Sequence, residues 1–106
     1  MDALWHVLLI KFNTDTAQEA KDRIFGLYQT LATDCGGKEA GILYFKVERN
    51  LDLRKNIELV EIAIFRDNEA LQAFRVHPLH VTLAQDLSKI ADWQVGDILL
   101  PFNLNQ

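Results

Sequence analysis

Six segments in the order β-α-β-β-α-β predict an α+β protein built on one antiparallel sheet. Two observations carry this reading. The strand segments are apolar on both alternation rows, and the helical segments carry a single apolar stripe at steps of three and four. Right-handed crossovers in this order give a ferredoxin-like sheet with both helices on one face. The other face is then a bare apolar surface, and a second copy packed through a two-fold axis is its simplest cover. The expectation is a homodimer whose sheets face each other, a dimeric α/β barrel.

Leu4 to Phe12 is too short for a typical buried helix and keeps its polar residues toward its ends, so it reads as a strand. Its rows are Leu4, His6, Leu8, Ile10 and Phe12, and Trp5, Val7, Leu9 and Lys11. Either row can face the helices, and an apolar row is left over both ways. Thr16-Ala17-Gln18-Glu19 has capping-box spacing, and Ala17, Ala20, Ile24, Leu27, Tyr28 and Leu31 follow as one stripe. Gly36-Gly37 stops that helix. Ile42 to Val47 and Ile57 to Phe65 read as strands joined by the polar loop Glu48 to Asn56. Asp67 caps a short helix with Ala70, Leu71 and Phe74 on one side. Pro78 breaks it, lacking an N–H and restricting His77, and starts a second piece with Leu83, Leu87 and Ile90 in register. Trp93 to Phe102 is the last strand, and Pro101 near its end suggests an edge.

The chain has 106 residues, 49% of them hydrophobic and 25% charged, with a formal net charge of -4. That suits a single domain over residues 1–106 and excludes a disordered chain. An acidic balance offers no general field for nucleic acid or anionic lipid, so neither is expected as a partner. The lone Cys35 cannot form an internal disulfide, no membrane span or leader is legible, and a cytoplasmic protein is expected.

Motifs for metals, nucleotides and nucleophilic serine or cysteine are missing from the sequence, so no metal and no cofactor is expected. His80 shares the helical face of Leu83, Ala84 and Leu87, and His6 alternates in phase with Leu8, Ile10 and Phe12. The two rings could converge on one pocket between sheet and helices, where burial keeps an imidazole neutral and able to act as a base. The plainer alternative is a pair of satisfied core histidines. Tyr28 belongs to an apolar helix face, yet its hydroxyl needs a partner that a pocket could supply. His77, ahead of the proline, is suited to capping the following helix. Glu61, between Val60 and Ile62, is either at a dimer surface or paired.

His6-Val7-Leu8-Leu9-Ile10-Lys11-Phe12 is similar to the opening strand of stress-responsive A/B barrel (Dabb) domain proteins. Phe65 to His80, a strand end and a short helix followed by His77-Pro78-Leu79-His80, resembles that family's most recognisable segment, and Val95 to Phe102 its closing strand. The resemblance implies the ferredoxin-like protomer and the dimeric barrel. It also implies a pocket between sheet and helices, because one member of the family is a cofactor-free enzyme closing polyketides by aldol condensation. The positions matching His6 and His80 carry that pocket's chemistry, the second as general base held by a tyrosine six residues earlier. Here that earlier position is Phe74, and a further pocket histidine maps near Leu59. Both departures argue against the same cyclisation.

The expected catalytic pair is His80 as base and His6 as polarising group, with His77, Tyr28, Phe74 and Leu59 lining the pocket. The expected ligand is a small apolar or carbonyl-containing molecule. The competing readings are a non-catalytic homodimeric binding protein and, behind both, a monooxygenase-like dimeric barrel enzyme.

Overall fold

Runs of β-branched and aromatic residues form four strands, and the amphipathic segments between them form helices. The computed structural model describes residues 1–103, so the last three residues of the expected domain lie outside the described chain. The elements are β1 (Asp2–Phe12), α1 (Gln18–Asp34), a 3-10 turn (Gly37–Ala40), β2 (Ile42–Arg49), β3 (Leu59–Phe65), α2 (Asn68–Val76), α3 (Pro78–Ser88) and β4 (Ala91–Pro101). The strands form one antiparallel sheet in the order β2-β3-β1-β4. Each helical crossover therefore spans one intervening strand, which is the ferredoxin-like arrangement. Among the described residues, no helix is long and apolar enough to cross a membrane.

The choice between the two rows of β1 is settled by burial. Leu4, His6, Leu8, Ile10 and Phe12 are buried on the side of Ile24, Tyr28 and Leu31 of α1, Leu71 and Phe74 of α2, and Leu83 and Leu87 of α3. Cross-strand partners share a face, so Leu59, Glu61, Ala63 and Phe65 of β3 and Trp93, Val95 and Asp97 of β4 belong to the same side. The opposite side carries Trp5, Val7, Leu9, Val60, Ile62, Tyr44 and Ile98, and among the described residues no helix covers it.

The break at Pro78 is complete. His77 is extended (φ -61, ψ 133) between two separate helices, as the steric demand of a following proline favours. Asp67 caps α2 by accepting from the Ala70 N–H at 2.9 Å. The capping box expected at Thr16 does not form. Ala17 is the N-cap of α1, and the Thr16 hydroxyl donates to the Ile90 carbonyl at 3.1 Å. A hydrogen bond across to the start of β4 replaces the local one. The 3-10 turn after Gly36 is not legible as such in the sequence, because Gly36-Gly37 reads only as a helix stop.

Gly41 ends this turn at φ +85, and a Cβ there would stand 2.7 Å from the Ala70 Cβ. Gly26 lies exposed within α1, and a Cβ added there would meet nothing within 4 Å. Gly41→Ala should cost about 2 kcal/mol or more, and Gly26→Ala should add about 0.5–1 kcal/mol, both read from urea unfolding midpoints.

Candidate functional site

The candidate cluster is assembled by strand register. His6 stands directly opposite Asp97, and the two approach to 2.6 Å between Nδ1 and Oδ1. A carboxylate oxygen accepts, so Nδ1 carries the ring proton and Nε2 turns away from β4. The other oxygen of Asp97 lies 3.8 Å from Arg75 Nη2. On the far side of the ring, Glu61 Oε2 is 3.4 Å from His6 Nε2. The imidazole thus bridges two carboxyl groups.

Glu61 is the exceptional member. It is only 3% exposed, and its Oε2 is within ion-pair range of His6 but has no hydrogen-bond partner. Burial pushes its carboxyl up to about 8, so it is largely protonated at neutral pH. Beside it, burial and then the charge of Glu61 raise the Tyr28 phenol far above its usual range. Among the described residues, the Tyr28 hydroxyl makes no hydrogen bond.

His80 is held by the helix break. In a continuous helix the Arg75 carbonyl would accept from the Leu79 N–H, but that N–H donates to His77 Nδ1 at 3.2 Å. The orphaned Arg75 carbonyl accepts instead from His80 Nδ1 at 3.1 Å. This fixes the tautomer and leaves the lone pair on Nε2. The ring packs on Phe74 at 4.6 Å between centroids. Burial is the main cause that lowers the His80 pKa, outweighing the opposing bond to Arg75. A neutral ring with a free nitrogen is a competent base.

A cavity of about 320 Å³ lies between sheet and helices. Its lining includes His6, Glu61, Tyr28, Phe74 and His80 among apolar walls from Leu8, Leu71, Leu87, Trp93 and Val95, with Arg75 and Ala84 completing it. Two residues expected around this pocket stand elsewhere. His77 caps α3 and is not part of the lining. Leu59, two residues from Glu61 on β3, lines a second cavity with Phe12, Lys21 and Phe25, because the strand carries its side chain beyond the reach of His6. The sequence alone does not single out Glu61, Asp97, Arg75 and Trp93 as site residues. Parity with Leu59 and Phe65 is the available signal for Glu61, and alternation with Val95 for Trp93 and Asp97. Among the described residues, no group of three His, Cys, Asp or Glu side chains is placed to hold a metal ion.

A family model for the Stress Responsive A/B Barrel Domain matches residues 4–99. The chain belongs to that family. Similar solved structures include a dimeric ferredoxin-like protein of unknown function from Thermobifida fusca, with 15% identity and a TM-score of 0.80 over 93% of this chain and 92% of that one. A Dabb family protein from Mesorhizobium loti has 14% identity and a TM-score of 0.76, covering 97% of this chain and 100% of its own. The hydroxynitrile lyase of Passiflora edulis has 13% identity and a TM-score of 0.78, with 95% of each chain covered. No curated protein matches the sequence significantly. At such identities these likenesses establish the ferredoxin-like fold and leave the chemistry to the residues.

The carboxyl of Glu61 gives a pH signature. Its folded value near 8 lies above the ordinary 4.5, so the folded state keeps a proton that the unfolded chain gives up. That contribution is full below about pH 4.5 and is lost progressively as pH rises to about 8. Glu61→Gln should match the parent near the acidic end and become the more stable protein toward pH 8, measured as urea midpoints across that range.

Proposed function

We propose that the protein is a cytoplasmic homodimer that takes a small apolar or carbonyl-containing molecule into the cavity between sheet and helices, with His80 as general base. The observation that carries this reading is the shared cavity: His6 and His80 both line it, and the tautomer of His80 leaves Nε2 with a lone pair. Proton abstraction next to a carbonyl needs a neutral base and a polar group for the developing oxyanion. His80 fits the first role; the Tyr28 hydroxyl, a donor in the cavity lining that no described residue engages, fits the second, while His6, its Nδ1–H held by Asp97, orients the ligand. One structural neighbour is a hydroxynitrile lyase, which supports an enzyme on this fold. The competing reading, binding without catalysis, draws on Phe74, an aromatic contact for His80 with no hydroxyl to hold it.

The homodimer rests on the uncovered sheet face. Ile98 is 55% exposed there, opposite Trp5, and Ile62 and Tyr44 are exposed on the same face. Neighbouring structures described as dimeric support the same assembly. Packing two such faces together removes the apolar surface from water, and the lone buried Cys35 suits a reducing compartment.

Two experiments test these halves. With 2-heptanone as probe, the protein should accelerate exchange of the α-hydrogens for deuterium, followed by NMR, and His80→Ala should lower the rate about 100-fold. Exchange that is unchanged in the variant leaves binding alone. For assembly, Ile98→Lys should give a monomer by light scattering at micromolar concentration. Leu99→Lys, paired with Leu4 on the helix-side row, should leave the dimer intact. A monomeric parent protein refutes the assembly.

A further inference from the structure

The cavity contains a polar group that base catalysis by His80 does not use. Glu61 is almost wholly buried, its Oε2 has no hydrogen-bond partner, and its side chain lines the cavity. An acidic side chain in the middle of an apolar strand is costly, and a hydrophobic residue would fill the position without penalty. Its surroundings are polar on one side only. His6 of β1 reaches it with Nε2, and through the ring it is tied to Asp97 of β4. Tyr28 of α1 brings a hydroxyl that no described residue engages. Arg75 of α2 is drawn toward Asp97, and His80 of α3 gives its Nδ1–H to the Arg75 carbonyl. No cation is paired directly with Glu61 among these groups.

We propose that Glu61 sets the ligand class of this cavity: with the Tyr28 hydroxyl it forms a subsite for the hydroxyl of an uncharged ligand, and it turns away carboxylates. This rests on the reading of the cavity as a small-molecule site. The geometry sets each proton. His6 Nδ1–H donates to Asp97, so Nε2 carries a lone pair, and the carboxyl proton of Glu61 is favoured on Oε2, which faces that lone pair at 3.4 Å without forming a hydrogen bond. The second oxygen of Glu61 then remains an acceptor for a ligand hydroxyl, and the Tyr28 hydroxyl can donate to the same ligand oxygen. An anionic ligand finds no such match. It has no proton to give the acceptor oxygen of Glu61 and, once Glu61 ionises, meets a like charge in a poorly solvated place. A ligand hydroxyl gains from that ionisation, because a charged acceptor makes the stronger hydrogen bond.

Binding of 4-ethylphenol and of 4-ethylbenzoate can be compared through tryptophan fluorescence in a Trp5→Phe background, which leaves Trp93 of the cavity lining as the reporter. The protein as purified is titrated with each at several values between about pH 6 and pH 9, where the phenol is essentially uncharged and the benzoate is an anion. The parent protein should prefer the phenol at least about tenfold, and the preference should grow as Glu61 ionises around pH 8. Glu61→Gln keeps an acceptor and a donor in the same shape, so it should retain the preference and lose its growth with pH. Glu61→Leu should bring the two affinities within about threefold of each other. A Glu61→Leu protein with the parent's preference overturns the assignment, and the cavity reading survives because both probes still bind. If neither probe binds the parent protein, the small-molecule reading fails and this assignment fails with it. The melting temperature of each variant, measured alone, separates loss of the subsite from loss of the fold.

Discussion

The register of β1 is the constraint on which the rest of the molecule depends. This strand lies between β3 and β4, and its even row supplies the floor of the core, with Ile10 fully buried. The same row carries His6. Because alternation has a period of two, slipping β1 by one residue would expel Ile10 and turn His6 onto the open face. Core packing and the position of the imidazole are therefore one decision. Pairing with β4 then delivers Asp97 opposite His6, and pairing with β3 places Glu61 one step along the diagonal. A structural requirement, burial of five consecutive even positions, is what assembles the polar cluster.

The second determinant is the interruption at Pro78. A continuous helix would have consumed the backbone groups that the break sets free. Instead, His77 takes up the Leu79 N–H, and His80 takes up the Arg75 carbonyl. Two histidines three residues apart thus do different work, one finishing a helix end and the other presenting a nitrogen to the cavity. The proline produces this difference. Its effect passes through the backbone hydrogen bonds it removes.

Much of this is legible in the sequence, and the failures have specific causes. The element order, the helix break and the joint placement of His6 and His80 follow from alternation, helical spacing and the chemistry of proline, which are local rules. The Thr16 capping box fails because a carbonyl from the start of β4, distant in sequence, offers the hydroxyl a competing partner. Resemblance alone assigns Leu59 to the pocket, yet β3 carries it past His6 toward Phe12 and Phe25. Glu61 stays ambiguous in the sequence because a charged residue between apolar neighbours has no assigned side until its row is known. Once Leu59, Ala63 and Phe65 are seen to face the helices, Glu61 must face them as well. The bare sheet face is readable in advance for a simple reason: two-sided apolar strands outnumber the surfaces that one helical layer can cover.

The most direct measurement is the titration of the Glu61 side-chain carboxyl by carbon-13 NMR. Burial without a hydrogen-bond partner for Oε2 should hold its midpoint near 8, well above the ordinary 4.5. A midpoint at the ordinary value would mean that the carboxyl is solvated or paired with a cation, which contradicts the cluster of Asp97, His6 and Glu61 as described.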